Sequence, residues 1–222
     1  MAFDHIDTWV FDLDNTLYNA EPHSFPQMGQ RMTAFVAELL KLPVDEADVI
    51  RRDYFHKYGT TLRGLMSEHG IAPADFLSYV HDFDLTPIAH CAITQSTLRA
   101  LPGRKIVFTN APQGFAHRML DHLGLSGAID AVFAVEDADY WPKPMDATYD
   151  LFLKRHGVTA ARACMVEDMQ INLVPAHARG MTTVWLHGDG NADAHVHVHH
   201  SAARLPDFFA RDYFTTLKKA TS

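Results

Sequence analysis

Two cysteines, Cys91 and Cys164, are all that the 222 residues contain, too few for a disulfide framework. No apolar run approaches the roughly 20 residues that a membrane-spanning helix needs. The first residues, Met-Ala-Phe-Asp-His, have neither the basic flank nor the apolar core of a secretory signal. A cytoplasmic protein working away from membranes is the expectation. Basic charge is also short: 19 Lys and Arg stand against 27 Asp and Glu, for a formal net charge of −8. An acidic surface opposes a phosphate polymer, which argues against nucleic-acid binding. Protonation of the 15 histidines near pH 6 would remove most of that negative charge. Internal repeats and long low-complexity segments are missing too. What is present is ordinary globular usage, 47% hydrophobic and 21% charged, at a length that suits one large domain or one domain with an insert.

The run Thr8-Trp9-Val10-Phe11 is short, rich in β-formers, and stops abruptly in Asp12-Leu13-Asp14-Asn15-Thr16. It reads as a buried strand with charge at its carboxyl end. Further strands are expected at Lys105 to Thr109, Ala131 to Val135, Ala163 to Val166 and Thr182 to Leu186. Helix-period segments lie between them: Gly114 to Leu123, Asp146 to His156 and Ile171 to Ala178. Such alternation predicts βαβ units around a parallel sheet. From about Phe25 to Phe83 the pattern is purely helical. Met28, Met32, Phe35, Val36, Leu39 and Leu40 share one face, Leu42-Pro43 ends that helix, and Asp45 is placed to cap the next. Thr61 to His69 and Pro73 to Asp82 follow as two more helices. The expected organisation is an α/β core of residues 1–17 and 90–222 with an inserted helical domain, 18–89.

Asp12 and Asp14 sit two apart where the first strand ends, and open parallel sheets bind ligands at such ends. Two carboxylates there can divide the work, one as nucleophile and one as proton carrier. An Asp-rich turn is the plainer alternative. Other polar groups also fall at strand ends or just beyond: Thr109-Asn110, Lys143 between two prolines, and Glu167-Asp168. Asp, Glu, Thr and Lys together suit Mg2+ and a phosphoryl group, with hard oxygens for the ion and donors for the anion. Zinc would want His or Cys at ligand spacing, which these strand ends lack.

Asp12-Leu13-Asp14-Asn15-Thr16, Thr109, Lys143 and Glu167-Asp168, in that order, resemble the four motifs of the haloacid dehalogenase superfamily, and the match covers nearly the whole chain. The resemblance implies a Rossmann-like parallel sheet with helices on both faces and a helical cap. It implies that Asp12 is the nucleophile and Asp14 the general acid/base. Thr109 would bind phosphoryl oxygens, and Lys143 would neutralise Asp12 and the phosphate. Asp12, Asp168 and the backbone carbonyl of Asp14 would hold Mg2+, joined by Glu167 directly or through water. Each carboxylate–phosphate pair at 4 Å repels by about 1 kcal/mol in water and about 4 at an effective dielectric of 20. Mg2+ and Lys143 would offset that.

Within the superfamily, Phe11 to Tyr18, Tyr58 to Leu65 and Phe108-Thr109-Asn110-Ala111 are similar to the pyrimidine 5′-nucleotidase group. That likeness implies a small phosphorylated substrate, a nucleoside monophosphate. Asn110 in the core and Tyr58, Thr61 and Arg63 in the cap are the candidate substrate contacts; the last three offer an aromatic face, a hydroxyl and a planar donor fork. A cap-core role for Tyr58 and a surface ion pair for Arg63 are the bland alternatives. Trp141 departs from the smaller residue that relatives often carry before the Lys-Pro pair. A sugar-phosphate phosphatase or phosphomutase on the same core is the alternative activity, and a binding protein on a retired phosphatase fold is the alternative class. Dehalogenation is disfavoured because its site resembles one lacking the second aspartate. Alternation puts His195, His197 and His199 on one face of a strand, where the resemblance places the last core strand; metal binding by this run stays open.

Overall fold

The computed structural model describes residues 3–89, 95–190, 193, 195–211 and 214; Cys91 lies outside them. The chain divides into two compact units, one of residues 1–19, 89–138 and 143–222 and one of residues 20–88 and 139–142.

The first unit is built on six parallel strands: β1 (Thr8–Phe11), β2 (Arg104–Phe108), β3 (Ala131–Phe133), β4 (Ala163–Glu167), β5 (Thr182–Leu186) and β6 (His200–Ala202). Their order is β3-β2-β1-β4-β5-β6, the doubly wound arrangement. The order reverses at β1, so the loops leaving β1, β2 and β4 meet at one end of the sheet. β1 is buried along its whole length, as its apolar run requires. Alternation sends Val10 to one face and Trp9 and Phe11 to the other. Val10, Ile106, Phe108 and Met165 pack with Tyr149 and Phe152 of α7 (Asp146–His156) and Leu173 and Ala176 of α8 (Gln170–Ala178). Trp9 and Phe11 meet Phe209 of α9 (Leu205–Phe209), with ring centroids 6.4 and 6.5 Å apart. Helices therefore cover both faces. The remaining core helices are α5 (Gln95–Arg99) and α6 (Gln113–His122). Gly103, at φ +77, lies so close to Asp7 that an added Cβ would sit 2.0 Å from its carbonyl oxygen. That close approach lets Arg104 N donate to Asp7 O at 2.8 Å and start β2 beside β1.

The second unit holds α1 (Ser24–Leu40), α2 (Val44–Tyr58), α3 (Thr61–His69) and α4 (Pro73–His81). Helix α1 packs on α2 and α4, and α2 packs on α3. Gly64 makes the α2–α3 approach possible, since a Cβ there would lie 2.4 Å from Tyr54 Cβ.

Three expectations are corrected. Pro43 is the N-cap of α2, and Asp45 lies in its first turn beside Glu46, where both carboxylates favour the positive end of the helix dipole. Leu39 is exposed and so drops out of the buried face of α1, while Leu40 beside it is half-buried. The strand expected from His195 begins only at His200. Thr183 Oγ1 donates to His197 O at 2.7 Å and accepts from His199 N at 3.1 Å, and this side-chain bonding replaces further ladder pairing. His199 Nδ1 lies 3.1 Å from Thr183 N, which donates to it, and the His195 and His197 rings stack at 5.5 Å.

Candidate active site

The loop after β1 is a tight turn. Thr16 N and Leu17 N both donate to Leu13 O, at 3.4 and 3.0 Å, around Asn15 at φ 59. Asparagine is among the few non-glycine residues that adopt this left-handed conformation readily. The turn leaves Asp12 buried at the strand end and Asp14 half-buried two residues on.

Lys143 enters the same strand ends from the loop before α7. Its buried Nζ donates to Asp12 Oδ1 at 2.7 Å, Glu167 Oε1 at 2.8 Å and Phe108 O at 2.9 Å. Those three acceptors use all three ammonium protons. The Asn110 amide fixes the lysine's backbone from both sides: Lys143 N donates to Oδ1 at 2.7 Å and Nδ2 donates to Lys143 O at 3.2 Å. Asn110 thus positions Lys143, where the sequence suggested a substrate contact. Thr109 is buried beside it, and its hydroxyl oxygen accepts from Ala111 N at 3.0 Å.

Glu167 ends β4 with three hydrogen bonds to its carboxylate. Oε1 accepts from Lys143 and from Asn172 Nδ2, the latter at 2.6 Å, and Oε2 accepts from Met169 N at 2.6 Å. Tyr149 OH in turn donates to Asn172 O at 2.5 Å. Direct metal ligation by Glu167 would fall to Oε2, which accepts one hydrogen bond where Oε1 accepts two. Trp185 Nε1 donates to Asp168 O at 2.8 Å and ties the next residue's backbone to β5. Tyr149, Asn172 and Trp185 were not singled out by the sequence. Asn172 alone carried a signal, an amide five residues past Glu167 in the first turns of a helix.

Carboxylate oxygens of Asp12, Glu167 and Asp168 lie within 4.8 Å of one another, a group that could hold a metal ion. Among the described residues one ammonium, that of Lys143, stands among these three acids. Burial pushes the Asp12 carboxyl up, with Lys143 opposing. Burial, with the neighbouring Glu167 and Asp12, pushes Asp168 up to about 9. Glu167 is held low: burial alone would raise it, but Lys143 and its other donors outweigh burial. Burial likewise works against the Lys143 charge, and Asp12 and Glu167 overcome it and hold the ammonium protonated. Asp14 is raised to about 6 by burial, against a hydrogen bond from Tyr18 OH. Excess carboxylate over ammonium, all with hard oxygen donors, fits a divalent cation such as Mg2+.

The three helical-unit candidates fare differently. Thr61 is buried and its hydroxyl donates to Arg51 O at 3.1 Å, joining α3 to α2. Tyr58 OH donates to Glu68, and Lys57 Nζ stands 4.7 Å from the Tyr58 ring centroid. These two hydroxyls hold the helices together. Arg63 lies with its guanidinium 3.6 Å from the Trp141 ring centroid, and among the described residues its side chain makes no hydrogen bond or ion pair. Its face is stacked and its donor edge is open.

A family profile described as haloacid dehalogenase-like hydrolase matches residues 6–176. A phosphoglycolate phosphatase of Rhodospirillum rubrum is 29% identical over 191 residues, 79% of this chain and 77% of that protein. Among solved structures, a HAD phosphatase from Thermococcus onnurineus aligns at a TM-score of 0.64 and 19% identity, covering 92% of this chain and 97% of its own. A 2-haloacid dehalogenase from Pseudomonas syringae pv. Tomato DC3000 aligns at 0.61 and 21% identity, covering 98% and 100%. Both structures share the fold. Among the described residues no helix is long and apolar enough to cross a membrane.

Proposed function

The chain belongs to the haloacid dehalogenase-like hydrolases, and we propose that within them it is a Mg2+-dependent phosphomonoesterase working through an aspartyl-phosphate on Asp12. The observation that carries this reading is the pairing of Asp14 with Asp12 at one strand end, beside a three-carboxylate cluster with a single ammonium. A hydrolase that displaces halide has no leaving oxygen to protonate; a phosphatase does. Asp14, raised to about 6, is suited to give and take that proton near neutral pH.

Asp12 and Asp168, with the backbone carbonyl of Asp14, would hold Mg2+. When bound, Mg2+ supplies positive charge that offsets the repulsion between carboxylate and phosphate. A carboxylate oxygen of Asp12 forms a bond to phosphorus while the bond from phosphorus to the leaving oxygen breaks. The electron pair goes to that oxygen, which takes the Asp14 proton and departs as an alcohol. A water oxygen then attacks phosphorus, Asp14 takes a water proton, and the Asp12 carboxylate is released with inorganic phosphate. Lys143 keeps Asp12 in place and neutralises charge throughout; Thr109, at the end of β2, binds phosphoryl oxygens.

Motif likeness assigns the choice of leaving group to the helical unit. Arg63, stacked and open-edged, is its recognition residue, fit for a planar acceptor edge. Motif likeness favours a pyrimidine nucleoside monophosphate, whose base presents carbonyl acceptors. The phosphoglycolate phosphatase relative favours a second reading, a small phosphate ester carrying a carboxylate. A panel of nucleoside monophosphates, phosphoglycolate and sugar phosphates, assayed with Mg2+ and with EDTA, tests both. Mg2+-dependent phosphate release that Asp12→Asn abolishes, in a protein that still folds, is expected. Equal rates in Asp12→Asn and wild type would refute the nucleophile, and equal rates on all nucleotides would remove the pyrimidine reading.

A further inference from the structure

The loop after β1 gives its two aspartates different anchors. Asp12 accepts from Lys143, and the remaining Lys143 donors go to Phe108 O and Glu167, with none for Asp14. Among the described residues the Asp14 carboxyl has one hydrogen-bond partner, the Tyr18 hydroxyl, which donates to Oδ1. Tyr18 is only 6% exposed. A backbone bridge joins Asp14 to Tyr18 across the turn that Asn15 closes, so the phenol is held from its own main chain as well as by its packing. An aspartate side chain has two free torsions. An ionised carboxyl near a buried ammonium is drawn toward it, and a single hydrogen bond is what holds Asp14 in place.

We infer that Tyr18 is the positioning residue of the general acid: its hydroxyl fixes the Asp14 carboxyl through Oδ1 and leaves Oδ2 to carry the proton to the leaving oxygen. This rests on the phosphomonoesterase reading. The hydroxyl neither touches phosphorus nor exchanges the transferred proton; it sets where that proton stands when the bond from phosphorus to the leaving oxygen breaks. Misplacement by about 1 Å is enough to slow such a step severely. A hydroxyl that merely satisfied its own buried position would, on removal, slow all substrates alike.

The two roles separate by leaving group. An alkyl phosphate needs its departing oxygen protonated, whereas p-nitrophenolate leaves without a proton. The value of kcat/KM covers events only up to departure of the alcohol, before Asp14 acts on water. Tyr18→Phe in the full chain with Mg2+ should lower kcat/KM on an alkyl phosphate by about 10–100-fold, a part of what general acid catalysis supplies. On p-nitrophenyl phosphate the loss should stay within about threefold, with the melting temperature nearly unchanged. Adding Tyr18→Phe to Asp14→Asn should lower the alkyl rate no further. Equal losses on both substrates, no loss on either, or a further loss in the double variant would overturn the inference. A wild type without Mg2+-dependent phosphatase activity would overturn the phosphomonoesterase reading first and this inference with it, and the wild type alone reveals that.

Discussion

Replacing Lys143 with methionine removes the one ammonium among the clustered acids while nearly keeping the side chain's length. Its Nζ bonds, at 2.7 Å to Asp12, 2.8 Å to Glu167 and 2.9 Å to Phe108 O, all disappear. Breaking a buried ion pair by removing one partner costs about 3–5 kcal/mol. A proton offers a milder outcome, because one carboxylate can be neutral instead. Keeping a carboxyl with a pKa of about 4 protonated at pH 7 costs about 1.4 kcal/mol per pH unit, or roughly 4 kcal/mol. Both routes lead to the same range, so Lys143→Met should lose about 3–5 kcal/mol at pH 7 in EDTA. The pH dependence follows from the proton count. The folded variant keeps a proton that the unfolded chain has released, so its folded carboxyl pKa lies above the unfolded one. Stability then falls as pH rises between those values, and the penalty shrinks toward acid. Between pH 7 and pH 5 it should shrink by roughly 2–3 kcal/mol. Urea unfolding of both proteins at both pH values, followed by far-UV circular dichroism, measures this, and wild type at each pH removes the titration common to both. A difference below about 1 kcal/mol at pH 7, or one that does not shrink toward pH 5, would refute the reasoning.

Asp168→Ala should raise the Mg2+ concentration for half-maximal activity by about tenfold or more, since Asp168 is one of the three carboxylates grouped there; an unchanged Mg2+ titration would assign the metal elsewhere. Arg63→Ala should raise KM for the preferred substrate by about tenfold, the effect of losing hydrogen bonds to a charged donor, and change p-nitrophenyl phosphate much less. Equal changes on both would make Arg63 structural. Gly64→Ala should destabilise the helical unit by about 1–3 kcal/mol, because its Cβ would fall 2.4 Å from Tyr54 Cβ. An unaltered melting curve would show that α3 can move away from α2 freely.

The core was far more legible in the sequence than the helical unit. Thr182–Leu186 forms the strand its apolar run predicts, and β1 stops where Asp12 begins. In a doubly wound sheet a polar residue at a strand's carboxyl end has one place to go, so Asp12, Thr109 and Glu167-Asp168 were placed as soon as the strands were. The helical unit has no such rule. Whether the Thr61 hydroxyl faces a ligand or the Arg51 carbonyl depends on how α2 and α3 cross, and Gly64 decides that crossing. The grouping of residues 139–142 with the helices, which brings Trp141 under Arg63, joins segments 78 positions apart and leaves no local pattern. The histidine alternation failed for a related reason. A period of two suggests a strand, but Thr183 answers the backbone of His197 and His199 with its side chain, and the ladder starts one residue later.

What divides the proposed roles of Asp12 and Asp14 is the kind of partner each has. Burial raises both carboxyls, so burial alone does not distinguish nucleophile from acid. Asp12 is bonded to a cation that Asn110 and Glu167 hold from two other directions. An ammonium favours the ionised carboxylate, and a divalent ion among Asp12 and Asp168 would favour it further, which is the state the proposed nucleophile needs. Asp14 is bonded to a neutral phenol, which fixes its geometry without supplying a full charge, as the proposed proton carrier needs. Two residues of chain separate these surroundings. The turn at Asn15 and the bridge to Tyr18 keep Asp14 from sharing the lysine, and so one strand end can supply both an attacking anion and a proton carrier.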